Sequence, residues 1–352
     1  MIVRPIQLDD LDALQQMARE TGVGFTSLPD NREFLREKIE HSMASFLDPR
    51  GEGAQLYFFV LEDDQASSSE RIAGCCAIEA RVGLSSPFYH YRLGRLAHSS
   101  PELGLHRLLE TLFLSSDHTG DAEVCSLYLR PAWRGGSGLR SRLGTMISRV
   151  RWLFIAAQRE RFPQRVLAEM RGRVDDQGAS PFWKSLGSRF LPMDFGDADR
   201  LIGLGEKGFI GELMPKYPIY TAFLTQEARL SIGQVHDQTR PAIAMLAHEG
   251  LRWEGYIDIF DGGPTMEAYI DDVRGVRDSR RLVARVDPDA SDRESRASGF
   301  RPRWLVARDG AAKDFRATWV SRAPREERLV LSLAEAQRLN VSNGDYLRVL
   351  EC

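Results

Sequence analysis

The sequence predicts an α+β protein, and three local patterns lead to this class. A hydrophobic strand at residues 125–129 runs into a glycine-rich, basic loop, which leads into a helix over residues 141–159. Apolar runs at residues 56–61 and 72–79 flank a polar turn, which is typical of an antiparallel hairpin. Near the start, a short strand at residues 2–5 precedes apolar residues that recur at helical spacing.

The remaining elements extend this order along the chain. The first helix is predicted to start after Asp9, a good N-cap, and to bury Leu11, Leu14, Met17 and Ala18. A second helix follows the turn at residues 26–30. Further strands are predicted at residues 88–96, 166–170 and 190–195, with a helix at 180–187 closed by glycine. Residues 105–114 are apolar, but their pattern leaves the type of element open.

A second, smaller unit is predicted after residue 280. The chain therefore divides into a main region, residues 1–280, and a small β-rich module, residues 281–352. Residues 287–299 are charged and poor in large apolar side chains, which indicates a linker or long loop. Strands at 304–307, 315–320, 329–331 and 346–350 and a helix at 332–339 follow. No chemical motif lies in this module, so packing or subunit contact is its expected role.

Composition excludes several classes of function. The formal net charge of −3 offers no positive excess for binding nucleic acid. The four cysteines show no CxxC spacing, which favours reduced thiols and argues against a metal site. No apolar run reaches the roughly 20 residues that span a bilayer. We therefore expect a cytoplasmic protein that acts on small molecules, without a bound metal, membrane or nucleic acid.

The glycine-rich loop is the strongest local indication of function. Arg134, Gly136, Ser137 and Gly138 follow the strand at 125–129, where glycines let main-chain N–H groups approach a phosphate and arginine supplies charge. The positive N-terminal end of the following helix points at the same place. A pyrophosphate of a nucleotide-like cofactor fits this arrangement, although glycine-rich loops also form plain turns.

The order of elements, the loop and the stretch Phe182-Trp183-x-x-Leu186-Gly187 resemble the GNAT acyltransferase superfamily. The resemblance implies a GNAT-like acyl-CoA N-acyltransferase core with a mixed, splayed sheet. It also implies that the main chain of Leu127 and Leu129 pairs with the pantetheine arm of an acyl-CoA, as an additional strand would.

Longer stretches narrow the resemblance to the arginine N-succinyltransferase family. They are residues 116–120 (SDHTG), 168–172 (AEMRG), 180–183 (SPFW), 212–216 (ELMPK), 232–236 (IGQVH) and 256–264 (YIDIFDGGP). The family implies transfer of a succinyl group from succinyl-CoA, a co-substrate rather than a permanently bound cofactor, to the α-amine of L-arginine. Related members also accept L-ornithine. Its proton-donating histidine falls on His236, and its succinyl-CoA contact falls on Leu127.

The glycine loop departs from the family pattern. The family shows Arg-x-x-Gly-x-Gly, whereas this chain has residues 133–138 (WRGGSG) followed by 139–144 (LRSRLG). The loop is several residues longer, so either Gly136 and Gly138 or the segment 140–144 holds the pyrophosphate.

His236 lies in a loop between two predicted helices. On residue type alone, such a histidine is more often a cap or a hydrogen-bonded surface group. The family resemblance instead assigns it as the acid that protonates the sulfur of CoA. An imidazole with its usual pKa of about 6.5 suits this role at neutral pH.

The base that deprotonates the amine stays open. Four carboxylates are candidates: Glu123, Glu169, Asp258 and Asp261. We favour a structural role for the two aspartates, because an aspartate before Gly-Gly-Pro commonly bonds its own backbone two residues on. Arg92 or Arg171 are candidates for the carboxylates of the substrates, since bidentate recognition favours arginine.

Two other groups have simpler interpretations. The aromatic residues at 57–59 and 88–91 are expected to form core and strand packing, and Cys125 has no base beside it that would make it a nucleophile. Direct transfer in a ternary complex is therefore expected. Two alternatives stay open: a chain that prefers ornithine, and a non-catalytic partner subunit of the same family. A homo- or hetero-oligomer is expected in either case.

Overall fold

The computed structural model describes residues 1–21, 27–64, 66, 71–135, 142–175, 178–203, 208–290 and 304–352. The strands are β1 (Ile2–Pro5), β2 (Leu56–Glu62), β3 (Ile72–Glu79), β4 (His90–Ser100), β5 (Leu105–Ser115), β6 (Ala122–Leu129), β7 (Arg165–Glu169), β8 (Ile219–Tyr220), β9 (Arg252–Asp258), β10 (Pro264–Tyr269), β11 (Arg280–Val286), β12 (Trp304–Arg308), β13 (Ala317–Val320), β14 (Arg328–Leu331) and β15 (Tyr346–Glu351). The helices are α1 (Leu11–Thr21), α2 (Arg32–Leu47), α3 (Leu143–Ala157), α4 (Pro181–Ser185), α5 (Phe195–Gly203), α6 (Gly208–Leu213), α7 (Gln226–Ser231), α8 (Arg240–Glu249), α9 (Arg274–Arg277) and α10 (Leu333–Leu339).

The strands join in one mixed sheet, in the order β14-β11-β15-β12-β13-β1-β2-β3-β6-β7-β10-β9-β4-β5-β8. Two neighbouring pairs, β6 with β7 and β11 with β14, are parallel. The predicted hairpin of β2 and β3 is confirmed, and it pairs over its whole length. The mixture of helices with one mixed sheet agrees with the predicted α+β class.

Helices cover both faces of the central strands. On one face, Leu14 of α1 and Leu35 of α2 pack with Phe58 and Cys75 of the hairpin. On the other face, α3 packs on the sheet through residues such as Phe154. Burial of each large apolar side chain stabilises the fold by about 1.5–3 kcal/mol, so this double coverage holds the central strands in place.

The start of α1 differs from the prediction. The predicted burial of Leu11, Leu14, Met17 and Ala18 is confirmed. The N-cap at Asp9 is wrong, because a 3-10 turn precedes α1 and Gln7 and Asp10 form its capping box. The Asp10 carboxylate also accepts hydrogen bonds from the Arg4 guanidinium at 2.8 and 2.9 Å. The N-cap is therefore Gln7, and its N–H donates to the carboxylate of Asp10, which Arg4 of β1 holds in place.

Two further segments correct the sequence reading. Residues 105–114, whose type was open, lie in β5, which pairs with β4 from Ser115 to Leu105. The strand predicted at 190–195 is wrong, since Leu191 packs in a separate core with Trp183 and α5 begins at Phe195. The Trp183 indole N–H donates to the Met193 carbonyl at 3.0 Å, so this apolar segment is a loop folded around tryptophan.

The C-terminal strands share a core of their own with α10, which includes Leu282, Leu329 and Leu347. The predicted helix is capped by Ser332, whose side chain accepts from Glu335 N–H. The predicted linker at 287–299 lies outside the described residues from position 291 onward. β13 continues the main sheet by pairing with β1, so these strands extend the same sheet.

His118 is fully buried and lies between two carboxylates. Its Nδ1 lies 3.2 Å from Asp121 Oδ2 and its Nε2 lies 3.1 Å from Glu267 Oε2. Burial opposes the positive charge, but hydrogen bonds to Asp121 and Glu267 outweigh it and raise the pKa of His118 to about 9. The imidazolium thus ties the turn before β6 to β10.

This raised pKa predicts a loss of stability at alkaline pH. The contribution is complete below the unfolded pKa of 6.5 and disappears as the pH rises through about 9. In urea unfolding, we expect the stability difference between wild type and His118→Gln to shrink by roughly 1–2 kcal/mol from pH 6 to pH 10. The exposed His41→Gln is the control. A difference that stays constant over this range contradicts the pairing of His118 with these carboxylates.

Candidate functional site

β6 and β7 lie side by side only over their first residues. The parallel ladder consists of Ala122 with Val166 and Glu123 with Leu167, although β6 continues to Leu129. Both strands lie wholly within the described residues, and no further pair joins them. The gap that opens between their C-terminal ends is bordered by main-chain groups that no neighbouring strand occupies.

A β-bulge in β6 accompanies this opening. The register between β3 and β6 passes from Ala77 opposite Cys125 to Cys75 opposite Tyr128, so β6 holds one residue more than β3 over this step. Ser126 lies in this stretch and has a φ of 50°, in the left-handed region. A bulge bends its strand and strengthens the local twist, which is consistent with β6 turning away from β7.

The end of β6 presents its main chain to the gap. The Arg130 N–H donates to the Ala73 carbonyl of β3 at 2.9 Å. Because successive residues of a strand direct their main-chain groups to opposite sides, those of Leu129 and Leu127 point away from β3. Both side chains pack against the core beneath α3. The Leu129 carbonyl accepts a hydrogen bond from Arg134 Nε at 2.9 Å.

The predicted phosphate loop lies largely outside the described residues. Gly136, Ser137 and Gly138 belong to the stretch 136–141, and so does Arg140 of the alternative segment. Arg134 is described and exposed. The first turn of α3 lies beside the end of β6, because a Cβ added to Gly144 would be 4.0 Å from Leu129 Cδ2. The positive end of the α3 dipole therefore lies near the mouth of the gap.

His236 lies on the opposite side of the gap, next to the end of β7. Its N–H donates to the Arg171 carbonyl at 2.9 Å, and the adjacent Val235 forms a bridge with Gly172. The loop at 232–239 thus runs alongside the continuation of β7. The opening is bordered by the end of β6 on one side and by His236 on the other.

Hydrogen bonding determines which nitrogen of His236 carries the proton. Gln238 N–H donates to Nδ1 at 3.2 Å, so the neutral ring carries its hydrogen on Nε2. Burial lowers the pKa of His236 and the positive charge of Arg171 lowers it further, while Asp237 opposes them. The half-buried ring is therefore mainly neutral at pH 7, with Nε2–H as its donor.

Asp258, the last residue of β9, and Asp261, in the turn that follows, bind backbone groups next to the site. The Asp261 carboxylate accepts from Gly172 N–H at 2.6 Å and from Gly263 N–H at 2.8 Å. Asp258 Oδ1 accepts from the N–H groups of Phe260 and Asp261 at 2.7 and 2.8 Å. Burial raises the pKa of both carboxyls. The prediction that these aspartates bond backbone groups is confirmed.

Glycine is required where this turn meets β7. A Cβ on Gly263 would lie 2.0 Å from the Met170 carbonyl and 2.7 Å from the Gly172 nitrogen. Real Cβ atoms do not approach backbone so closely, so any side chain at this position would push the turn away from the end of β7. The position of the strand end, and with it the backbone of Arg171 that holds His236, depends on this contact.

A row of carboxylates lies on the sheet face that α3 does not cover. Glu123 alternates with Ala122 and Val124, which pack in the core beneath α3, so Glu123 faces the other way. Glu79 stands directly opposite it on β3. Ligand atoms of these two glutamates and Cys125 lie within 4.8 Å of one another, which is also a spacing that could hold a metal ion.

Glu169, the last residue of β7, extends this row. Its Oε1 lies 3.1 Å from Nε2 of His90, whose side chain is fully buried. The carboxylate itself is 28% exposed, so it is partly accessible to solvent. Sequence reasoning had no signal for His90 or for the pairing of Glu79 with Glu123, because both depend on the strand order.

The other candidates have different surroundings. Burial raises the pKa of Cys125, and Glu123 and Glu79 raise it further, so its sulfur stays a thiol and is a poor nucleophile. Arg92 lies over the Tyr256 ring, 3.7 Å from Asp117. The aromatic residues at 57–59 are buried in the two central cores, which confirms that they are packing residues.

Comparison with known proteins supplies the family. The model of the arginine N-succinyltransferase beta subunit matches residues 1–275, and the model of its C-terminal domain matches residues 285–351. Arginine N-succinyltransferases of Salmonella schwarzengrund and Escherichia coli O17:K52:H18 are each 47% identical, over 99% of this chain and 97% of theirs.

A solved structure agrees with these matches. The structure of arginine/ornithine succinyltransferase subunit AI from Pseudomonas aeruginosa gives a TM-score of 0.86 at 35% identity, covering 99% of this chain and 98% of that one. With family models, sequence relatives and a solved structure agreeing over nearly its whole length, the chain belongs to the arginine N-succinyltransferase family.

Proposed function

We infer that the chain transfers the succinyl group of succinyl-CoA to the α-amine of L-arginine, giving N2-succinyl-L-arginine and CoA. It is an acyltransferase of arginine catabolism, and succinyl-CoA is a co-substrate. One observation supports placing this reaction at the gap between β6 and β7. In this chain of the family, the gap is bordered by the Leu127 main chain and by His236.

We propose that the main region is a GNAT-like core. The bulge in β6, the two-pair ladder with β7 and the strand-loop-helix unit ending in α3 support this proposal. We also propose two domains, residues 1–280 and 281–352. The separate core of the C-terminal strands and the two family-model matches, 1–275 and 285–351, support that division.

We propose that the pantetheine arm of succinyl-CoA enters the gap and pairs with the main chain of Leu127, and with Leu129 once Arg134 releases its carbonyl. The pyrophosphate then lies at the start of α3. Arg134, Gly136, Ser137 and Gly138 are the proposed contacts, with residues 140–144 as the alternative cradle. The dipole of α3 favours an anion at this position.

The acidic face suits the acceptor. Free arginine carries two positive groups, the α-ammonium and the guanidinium, and this face carries Glu79 and Glu123 opposite each other and Glu169 at the end of β7. Glu79 and Glu123 lie opposite each other on the neighbouring strands β3 and β6. We propose that they bind the guanidinium, either through both oxygens of one carboxylate or through one oxygen of each. A cation between them also relieves the repulsion of two like charges.

We propose that Glu169 removes the proton from the α-ammonium. It is at the end of β7, two residues before Arg171, and its carboxylate is partly exposed next to buried His90. We assign Asp258 and Asp261 a structural role instead, because backbone N–H groups bind both oxygens of Asp261 and Oδ1 of Asp258. The free amine then attacks the thioester carbon and the carbon–sulfur bond breaks.

His236 is the proposed proton donor to the departing sulfur of CoA. As the amide forms, the nitrogen releases its second proton to solvent. The departing sulfur takes a proton from the imidazolium of His236, which solvent has protonated and protonates again after turnover. In the free protein, Arg171 disfavours that imidazolium. We propose that the succinyl carboxylate pairs with Arg171, which cancels its charge and raises the pKa of His236 only when the acyl donor is bound.

Three further proposals concern substrates and context. Acceptance of L-ornithine has the support of the Pseudomonas aeruginosa neighbour, which is called an arginine/ornithine succinyltransferase. That neighbour is also called a subunit, which supports an assembly with another copy or a related chain. A cytoplasmic location is supported by the four free cysteines. No helix of the described residues is long and apolar enough to cross a membrane.

Removal of the proposed acid provides the first test. We expect His236→Ala to lower the arginine-dependent release of thiol from succinyl-CoA by about 10²-fold or more, measured beside wild type with ornithine and acetyl-CoA as comparison substrates. His41→Ala, an exposed histidine on α2, should retain full activity. A folded wild type that releases no thiol contradicts catalysis by this chain alone and favours the partner-subunit alternative.

The proposed base predicts a distinctive pH profile. Glu169→Gln should lower kcat at pH 7 by about 10²-fold, and its rate should recover as the pH rises, because free amine then forms in solution. Glu123→Gln should instead raise the KM for arginine without such recovery, while Glu37→Gln on the exposed side of α2 should change neither constant. Recovery in Glu123→Gln and not in Glu169→Gln would exchange the two roles.

Arg171 should control the titration of His236. Removing a neighbouring positive charge favours the imidazolium, so Arg171→Gln should raise the pKa of His236. The ring resonances of His236 in an NMR titration of the free protein measure this shift. The exposed Arg173→Gln is the matched control. A pKa of His236 that is unchanged or lower in Arg171→Gln contradicts the coupling.

A further inference from the structure

β4 and β5 form a long two-stranded ribbon that leaves the body of the protein. They pair from His90–Ser115 at the base to Ser100–Leu105 at the tip. At the base, β9 pairs with β4 only from His90 to Arg92, and β8 pairs with β5 only at Thr111 and Leu112. We call residues 93–110 the outer ribbon; no other strand of the described chain pairs with either of its edges.

The outer ribbon is unusually apolar for a segment so exposed. Six of its eighteen residues are leucine, and Leu96, Leu103, Leu105 and Leu108 are 44, 71, 45 and 61% exposed. A two-stranded ribbon without further strands or a covering layer is marginally stable in water. Unpaired strand edges with apolar side chains are also a template for another chain. Both features indicate that another molecule covers this segment.

The charges of the outer ribbon indicate which class of molecule covers it. Arg95 and Arg107 balance Glu102 and Glu110, so the segment has no formal charge apart from its histidines. Nucleic acid and anionic lipid surfaces both require a positive excess, so neither fits. A protein surface that is itself apolar and neutral does fit.

The sequence of β5 makes the ribbon complementary to itself. Its edge carries basic His106 and Arg107 toward the tip, acidic Glu110 toward the base, and leucines between them. Two copies related by a two-fold axis run antiparallel, so Glu110 of each copy lies near the basic end of the other and the leucines meet at the centre. Both the charges and the apolar residues then find partners.

We propose that the outer ribbon is a self-association surface, on which a second copy of this chain docks through the same residues. The ribbon exposes main-chain groups, leucines and balanced charges, and an isologous contact satisfies all three. The assembly proposed above is then a homodimer, and the outer ribbon is its contact surface. It does not depend on the catalytic assignments, because its test measures mass rather than turnover.

The mass of the purified chain in solution tests this proposal. Light scattering after size exclusion should give twice 39.7 kDa for wild type, and Leu105→Glu/Leu108→Glu should reduce it to the monomer mass. Leu47→Glu, a 64% exposed leucine on α2, is the matched control and should remain a dimer. Circular dichroism and thermal unfolding verify that each variant is folded.

A charge exchange tests the two-fold arrangement itself. Glu110→Arg should weaken the dimer at least tenfold, and His106→Glu added to it should restore most of the loss, because residues 106 and 110 lie on the same face of β5 and the pair then meets with its signs reversed. A monomeric wild type at tens of micromolar overturns the proposal, and so does a folded Leu105→Glu/Leu108→Glu variant that stays dimeric. A wild type that associates only with a different chain overturns it as well.

Discussion

The separation of β6 from β7 is the feature on which the rest of the site depends. Parallel strands in a covered sheet normally continue their ladder, because unpaired backbone groups away from water cost free energy. Here the ladder ends after two pairs. The bulge at Ser126 accompanies the turn of β6 to one side, and Asp261 fixes the end of β7 through Gly172. The two strand ends are therefore held apart, and β7 does not pair with the main chain of Leu127.

The same sheet separates the two kinds of chemistry that acyl transfer to a cationic amine requires. The α3 face is apolar and leads to the positive end of a helix, which suits a long thioester with a pyrophosphate. The opposite face carries Glu79, Glu123 and Glu169, which suit a substrate with two positive groups. In the reaction proposed above, the substrates approach from opposite faces and meet in the gap, where His236 lies next to Arg171. Neither face could offer both environments by itself.

The C-terminal strands help to hold α3 in position. α3 is buried on nearly all sides, because the sheet, including β12, β13 and β15, covers one side and α8 and α9 lie against another. Arg142, at the N-cap of α3, donates to the Cys352 carbonyl at 3.1 Å. A helix that holds an anion at its end must not move when the anion binds, and packing on two sides provides that rigidity.

The sequence alone determined the elements whose signal is local. The periodicity of Leu11, Leu14, Met17 and Ala18 predicted α1, and the alternation around a polar turn predicted β2 and β3, because amphipathic patterns repeat within a few residues. The Asp261-Gly262-Gly263 turn was also readable, since an aspartate bonds its own backbone. His236 and Leu127 were named through the family resemblance, because a single histidine carries no local sign of its role.

Only the tertiary structure decided the features that join distant parts of the chain. The pairing of Glu79 with Glu123 spans more than forty residues, and the contact of His90 with Glu169 spans nearly eighty, so no local pattern reports them. The strand expected at 190–195 was wrong for another reason: its apolar residues pack around Trp183 in a separate core rather than in a sheet, and an apolar run looks the same in either case. Periodicity shows which side of an element is apolar, while strand order and packing determine what that side meets.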